Sequence, residues 1–262
     1  MKIGISLACF YPEHPEDTIE YARSLGFDTA ELFINTYSEL SEEYLTLFKK
    51  KCDDAGLKIY SIHPFTSAIE NYLFFSHYDR RIDDAKYFYE KYCLAANILD
   101  AKVINIHGDR GIGLVDIDKY CKSVEPLIQL TEKHGVIFSH ENVFFNSVNH
   151  PEFIYKLRER FNGNIKFTFD IKQAHKGASD PYEVCEAMGG DIVNFHINDY
   201  DDDNICLLPG KGVVDYTRIF KTLNKNLYSG PALIEVYSNN FKQHSEIKDS
   251  LECLNKINGL LK

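Results

Sequence analysis

Six strand-like segments of this chain end at, or just beyond, a side chain that can bind a metal ion or carry a proton. Each segment follows a helix-like stretch and a turn, so the two kinds of element alternate. Such side chains at the carboxyl ends of successive parallel strands are what a (β/α)₈ barrel uses to build a site. The six side chains are His63, His107, Glu141, Asp170, His196 and Glu235. The pattern therefore predicts both a fold and a place for its chemistry.

Apolar patterning predicts eight strands and eight helices, with no linker or low-complexity tract between them. A length of 262 residues is typical of one such barrel. The stretch after the first strand, ACFYPEHP, lacks the glycine-rich phosphate fingerprint of an open doubly wound sheet. We therefore expect an α/β fold, a single (β/α)₈ TIM barrel domain over residues 1–262. The predicted strands lie near 2–9, 29–34, 58–63, 102–107, 136–141, 165–170, 192–198 and 232–236. The predicted helices lie near 15–25, 40–55, 79–99, 115–134, 150–161, 180–188, 215–225 and 241–261.

The alternation of side chains along each strand supports the barrel. The residue two positions before each candidate ligand points the same way as that ligand. These residues are Ser61, Asn105, Ser139, Thr168, Asn194 and Leu233, and most are small or polar. The opposite face of each strand is apolar and must pack on the helices, so the ligand face points into the barrel. His140 falls on the helix-facing side, and we assign it no chemistry.

Charge and cysteine usage limit the function classes. The formal charge is −10 and no lysine- or arginine-rich run offsets it, which argues against nucleic acid as a partner. Seven scattered cysteines without a CxxC pair suit a reducing compartment. No stretch approaches the ~20 apolar residues of a membrane span, and the apolar start is too short for a signal peptide. We expect a cytoplasmic protein; its oligomeric state stays open and is compatible with a homo-oligomer.

Four of the six side chains form the sharpest group: Glu141, Asp170, His196 and Glu235, on predicted strands five to eight. Three carboxylates and one imidazole make an oxygen-rich set that suits a hard or borderline divalent ion. Without a cation, like charges in one low-dielectric cup repel strongly. We expect one divalent ion, Mn²⁺ before the others, with Mg²⁺, Co²⁺ or Zn²⁺ as alternatives.

The two glutamates suggest a reaction. Strands five and eight lie three apart in a ring of eight, so Glu141 and Glu235 approach the cup from different sides. Two carboxylates that flank a bound hydroxy-ketone can remove a proton and return one. The ion would polarise the carbonyl and stabilise an enediolate. At least one glutamate must then be a weak ligand, because coordination lowers the basicity of a carboxylate.

Other side chains are candidates for substrate contact. His63 and His107 lie on the same predicted rim and can orient a hydroxyl, hold a second ion, or simply hydrogen-bond within the rim. His175 follows the sixth strand and is placed to reach the same cup. Lys211 lies in the loop LLPGKGVVDY, where it can meet a phosphate, although a tight turn explains the same residues.

Taken in order, these segments resemble the xylose isomerase-like TIM barrel superfamily, which contains sugar phosphate isomerases and epimerases and the endonuclease IV family (AP endonuclease family 2). The resemblance covers essentially the whole chain. It is carried by INIHGD, SHENV, FTFDIKQAH, VNFHINDYD, PGKGVVD and ALIEVY. It implies that Glu141, Asp170, His196 and Glu235 bind one divalent metal, and that the two glutamates act as acid and base.

Two departures from the superfamily pattern reduce the number of metal ligands that we expect. Relatives commonly have a histidine three residues after the aspartate of strand six, where this chain has Gln173. The endonuclease branch needs an Asp-x-His pair before its glycine loop, where this chain has NIC at 204–206. A complete three-metal site is therefore not expected.

The leading hypothesis is a metal-dependent isomerase or epimerase of a small sugar, sugar phosphate or related polyol ketone. A metal-dependent lyase, an inosose-type dehydratase, is the alternative, since dehydration begins with the same proton abstraction. An endonuclease IV-like phosphodiesterase is disfavoured by the net charge and the missing ligands. A non-catalytic sugar-binding barrel is disfavoured because binding alone does not require two opposed glutamates at a metal site.

Overall fold

The computed structural model describes residues 1–110 and 115–261. Its strands are β1 (Ile3–Ser6), β2 (Thr29–Phe33), β3 (Lys58–His63), β4 (Val103–Ile106), β5 (Ile137–Glu141), β6 (Lys166–Asp170), β7 (Ile192–Ile197), β8 (Asp199–Tyr200), β9 (Ile205–Leu207) and β10 (Ala232–Ile234). Eight of them close into a parallel barrel in the order β1-β10-β7-β6-β5-β4-β3-β2. The predicted (β/α)₈ fold is confirmed.

Helices surround the barrel. They are α1 (Pro15–Ser24), α2 (Glu42–Ala55), α3 (Glu70–Phe74), α4 (Arg81–Leu99), α5 (Ile117–Lys133), α6 (Pro151–Arg160), α7 (Ile171–Lys176), α8 (Pro181–Met188), α9 (Tyr216–Lys225) and α10 (Ser245–Gly259). Local sequence sets their ends. The Ser41 hydroxyl accepts a hydrogen bond from the backbone N–H of Tyr44 to start α2. Gly56 ends that helix with a φ of 73°, a left-handed conformation that glycine adopts without strain.

The predicted elements differ from the observed ones mainly at their ends and at short additions. The first strand stops at Ser6 rather than at residue 9, because Leu7–Phe10 turn into a 3₁₀ helix. The sequence pattern did not predict the short helices α3 and α7, or the antiparallel pair β8–β9. These additions are too short to show a hydrophobic period, and all follow barrel strands.

The barrel interior is polar on the side of the predicted ligands, as the strand alternation indicated. Ser139 and Thr168 lie on neighbouring strands, and their hydroxyl oxygens are 2.8 Å apart. His140 points the other way and lies 2.9 Å from the Tyr120 hydroxyl on α5. Apolar side chains such as Phe167 and Phe195 fill the space between strands and helices. None of the helices in the described ranges has the length and apolar character needed to span a membrane.

Candidate metal centre and substrate site

Four acidic or imidazole side chains converge at the carboxyl ends of the barrel strands. Glu141, Asp170, His196 and Glu235 each offer one ligand atom, and these atoms all lie within 4.8 Å of one another. Asp170 and His196 have no exposed surface, and Glu141 is 1% exposed. The structure therefore brings together all four residues that the sequence predicted as ligands.

The strand register explains this convergence. Glu141 and Asp170 are the last residues of β5 and β6. Asp170 pairs with His196 across the β6–β7 ladder, so the two side chains emerge side by side. Glu235 follows the end of β10 by one residue, and its backbone N–H donates to the Ile197 carbonyl of the neighbouring strand. Because parallel strands end at the same rim, these side chains face one space.

The Nδ1 atom of His196 lies at the centre of the group. It is 3.4 Å from Oε2 of Glu235, 3.6 Å from Oδ2 of Asp170 and 3.7 Å from Oε1 of Glu141. Within the described residues, this buried nitrogen has no hydrogen-bond partner, and neither has Oε2 of Glu141. Buried polar atoms without partners are rare in folded proteins.

Glu31 holds the other side of the His196 ring, a contact that the sequence analysis did not predict. Its Oε2 lies 3.1 Å from Nε2 of His196, and it also accepts hydrogen bonds from Asn105 and Ser61 at 2.6 and 2.7 Å. A carboxylate on Nε2 fixes the ring orientation and leaves Nδ1 for a metal. The strand alternation rule would have found Glu31, since it points into the barrel from β2 between Ala30 and Leu32.

Asp170 is held by hydrogen bonds from the start of α7 and from two asparagine side chains. Its Oδ1 accepts from the backbone N–H of Gln173 at 3.1 Å, which starts α7, and from the Asn198 side chain at 3.1 Å. The Asn142 side chain bonds both the N–H and the carbonyl of Asp170. The second carboxylate oxygen, Oδ2, is thereby directed toward His196. The side-chain oxygen of Gln173 accepts a hydrogen bond from the Phe144 N–H at 3.2 Å.

A lysine also enters the cluster, and the sequence analysis missed it. The Lys172 ammonium donates hydrogen bonds to Oδ2 of Asp170 and to Oε2 of Glu235. Lys172 is the second residue of α7, so its position depends on the turn that Asp170 caps. No local signal distinguishes it in sequence from a surface lysine.

A second group lies beside the first and shares Glu141. It contains His63, His107 and Glu141, whose ligand atoms lie within 4.8 Å of one another. The two Nε2 atoms are 3.0 Å apart, and each lies 3.5 to 3.6 Å from Oε2 of Glu141. The His63 ring stacks on Phe33, with ring centroids 4.5 Å apart. Glu141 thus bridges the groups, with Oε1 toward His196 and Oε2 toward the two histidines.

The surroundings shift the pKa values of these groups in different directions. Burial raises the pKa of Glu235, although His196 and Lys172 attract its charge. Burial also disfavours a charged Glu141, but contacts with His196 and His63 hold its pKa well below the usual range. Burial lowers the pKa of His107 to about 4. The two glutamates thus differ in proton affinity, and His107 is neutral at neutral pH.

The residues present fit a divalent ion. One imidazole nitrogen and three carboxylate oxygens lie within 4.8 Å of one another, and the buried Nδ1 of His196 has no hydrogen-bond partner within the described residues. Carboxylate and imidazole donors suit Mn²⁺, Mg²⁺, Co²⁺ and Zn²⁺. Glu31 supplies the outer contact that metal-binding histidines usually have.

Two further candidates lie outside these groups. The His175 ring stacks on Tyr200 in β8, with ring centroids 3.6 Å apart, and belongs to neither potential ligand group among the residues described. Lys211 is exposed. The backbone N–H groups of its loop, at Gly210, Gly212 and Val214, donate to the Asp199 carboxylate at 2.9 to 3.0 Å. Asp199 therefore already fills the amide cradle in which the sequence suggested a phosphate.

The fold and the rim cluster define a (β/α)₈ barrel of the kind that places its chemistry at the carboxyl ends of the strands. A family model described as xylose isomerase-like TIM barrel matches residues 19–257, and the chain belongs to that family. The resemblance inferred from the sequence is confirmed.

Solved structures share the fold at low sequence identity. A D-tagatose 3-epimerase-like protein is 21% identical, with a TM-score of 0.80 over 99% of this chain and 98% of its own. An IolI protein with a bound zinc atom is 17% identical, with a TM-score of 0.77 over 98% and 96%. A probable 3-DHS dehydratase from Bacillus anthracis is 15% identical, with a TM-score of 0.77 over 97% and 99%. No curated protein sequence matches the chain.

Proposed function

We propose that the protein is a divalent-metal-dependent isomerase or epimerase that acts on a small sugar, sugar phosphate or related polyol ketone. The observation that carries this proposal is the convergence of Glu141, Asp170, His196 and Glu235 within 4.8 Å at the barrel rim. These four residues would hold the ion. When bound, it would supply Lewis-acid polarisation of a ketone oxygen.

The glutamates are assigned the proton transfers. Glu141 is held ionised, which suits a base that removes a proton from the carbon next to a carbonyl. Glu235 has a raised pKa, which suits a group that returns a proton. The resulting enediolate can be protonated on the opposite face, which is epimerisation, or on the neighbouring carbon, which is isomerisation. A bound cation changes the proton affinity of both glutamates. The roles of acid and base are therefore assigned to Glu141 and Glu235 as a pair.

The imidazole pair is assigned to substrate binding. His63 and His107 lie beside Glu141, so hydroxyl groups next to the reacting carbon would meet their ring nitrogens. His175 and Lys211 remain proposed contacts for the part of a substrate that extends beyond the cluster. Of the structural neighbours described above, one carries the name of a sugar epimerase and another contains zinc, which supports this class of chemistry.

A dehydratase is the second candidate, because loss of water begins with the same proton abstraction. His63 favours it, since burial opposes its protonation but Glu141 raises its pKa and makes it a proton donor for a leaving hydroxyl. One structural neighbour carries a dehydratase name. Phosphodiester cleavage has less support, because the net charge of −10 repels nucleic acid.

Product analysis tests the proposal. The Mn²⁺-loaded protein is incubated with a panel of free and phosphorylated ketoses and inososes, and the products are resolved by chromatography and mass spectrometry. In H₂O we expect a product with the mass of its substrate, and in D₂O the same product with deuterium at one carbon and a correspondingly higher mass. A product lighter by one water would assign the protein to the lyases, and nicking of abasic-site DNA would revive the nuclease hypothesis.

A further inference from the structure

Lys172 is more buried than any other lysine or arginine in residues 1–110 and 115–261. It is buried, with 4% of its surface exposed, whereas the other lysines and arginines of those ranges are intermediate or exposed. Burial of an ammonium is strongly unfavourable unless charged partners compensate it. The position therefore calls for an explanation in terms of its partners.

Those partners are two of the four candidate ligands. The ammonium donates to Oδ2 of Asp170 and to Oε2 of Glu235. Because Asp170 caps the helix that carries Lys172, the side chain turns back over the end of β6. Two carboxylates, one at the end of β6 and one just after β10, thus hold one cation that belongs to the chain.

The same two oxygens face His196. Oε2 of Glu235 and Oδ2 of Asp170 lie 3.4 and 3.6 Å from its free Nδ1. An ion bound by this nitrogen and by the nearest oxygens of Asp170 and Glu235 therefore uses the same oxygens that the ammonium contacts. Two cations in one low-dielectric cup repel each other, so their occupancies are linked.

We propose that the Lys172 ammonium competes with the divalent ion for Oδ2 of Asp170 and Oε2 of Glu235. This inference rests on the proposed metal dependence of the protein. The ammonium balances the acidic cluster when no ion is bound, and ion binding requires the side chain to leave those oxygens. The Tyr237 ring, whose centroid is 5.9 Å from Nζ, offers a face to which the ammonium can move.

Calorimetric titration of the metal-stripped protein with Mn²⁺ tests the competition. We compare wild type with K172M and K172Q, which remove the charge, and with K172R, which keeps it. K176M is the matched control, since Lys176 lies in the same helix but places its ammonium 4.0 Å from the centre of the Phe144 ring. We expect K172M and K172Q to bind Mn²⁺ at least tenfold more tightly than wild type, and K172R and K176M to stay within about threefold.

Thermal unfolding supplies a second readout. If Lys172 were only structural, Mn²⁺ would stabilise wild type and the neutral variants equally. Loss of the ammonium leaves buried carboxylates unpaired, so the metal-free K172M should unfold about 10 °C or more below wild type. Saturating Mn²⁺ should raise its midpoint by more than it raises that of wild type. If the neutral variants fold only with Mn²⁺, the proposal is supported; if they fail to fold even then, it is wrong.

The two proposals fail in different ways. Equal or weaker Mn²⁺ binding by both neutral variants, or no Mn²⁺ binding by wild type or variants, would overturn the competition. Absence of any converted sugar in the ketose panel would overturn the isomerase assignment, whatever the calorimetry gives.

Discussion

Nε2 of His196 lies 3.1 Å from Oε2 of Glu31, and both side chains are fully buried in the barrel. This contact sets the ring so that Nδ1 faces the carboxylates of Asp170 and Glu235. An anionic partner on the far ring nitrogen also strengthens the imidazole as a ligand. Glu31 thus belongs to the candidate metal centre through His196, although it is not one of the four candidate ligands.

Glu31→Gln should weaken Mn²⁺ binding by about 10–100-fold, because the amide loses the charge that holds His196. The measurement is calorimetric titration of the metal-stripped variant. Glu39→Gln is the control, since Glu39 accepts a backbone N–H from Asn35 outside the barrel interior. Unchanged affinity in the Glu31 variant would show that the contact is only structural.

Glu141→Gln and Glu235→Gln should each lower kcat by at least about 100-fold, because general acid and base groups contribute 10²–10⁴-fold. Each variant keeps the size and shape of the side chain, so its circular dichroism should match that of wild type. The exposed Glu20→Gln change serves as the control. Retained turnover in both variants would remove the acid and base assignment.

Removal of the metal should abolish turnover, and Mn²⁺ or Co²⁺ should restore it, since the cluster suits a hard or borderline ion. The measurement is activity after dialysis against a chelator and after stepwise metal addition. Metal content by mass spectrometry should rise in parallel to one equivalent per chain. Chelator-insensitive turnover in protein shown to be metal-free would contradict the proposed role of the ion.

His140 should make the protein sensitive to acid. Burial lowers its pKa to about 3, against 6.5 for an unperturbed histidine, so the folded state keeps it neutral while the unfolded chain binds a proton. The unfolded state therefore gains protons below pH 6.5, and stability falls as the pH drops toward the folded value. Between pH 6.5 and pH 5, this one group should cost about 2 kcal/mol of the unfolding free energy.

Urea unfolding of wild type and His140→Gln at both pH values measures this cost. The variant should lose about 2 kcal/mol less than wild type over the interval, because it has no imidazole to protonate. The exposed His77→Gln change should behave like wild type. Equal losses in wild type and the His140 variant would mean that other groups govern acid unfolding.

The sequence predicted the barrel and four of its rim residues because strand alternation and strand ends depend on local pattern alone. Glu141, Asp170, His196 and Glu235 each end, or nearly end, an apolar segment, and parallel strands bring such ends together. Lys172 escaped prediction because its place depends on a six-residue helix and on two partners from different strands. The amide cradle of Gly210 and Gly212 was ambiguous for a similar reason, since its carboxylate partner, Asp199, comes from the preceding hairpin.

Glu141 belongs to both ligand groups, with one oxygen toward His196 and the other toward His63 and His107. In the proposed function, a single carboxylate would therefore couple binding of the cation to binding of the sugar hydroxyls. A change in the position of His63 or His107 that suits a new substrate would also shift Glu141 and so change the affinity for the metal. We therefore expect descendants of this barrel to change sugar preference and metal preference together.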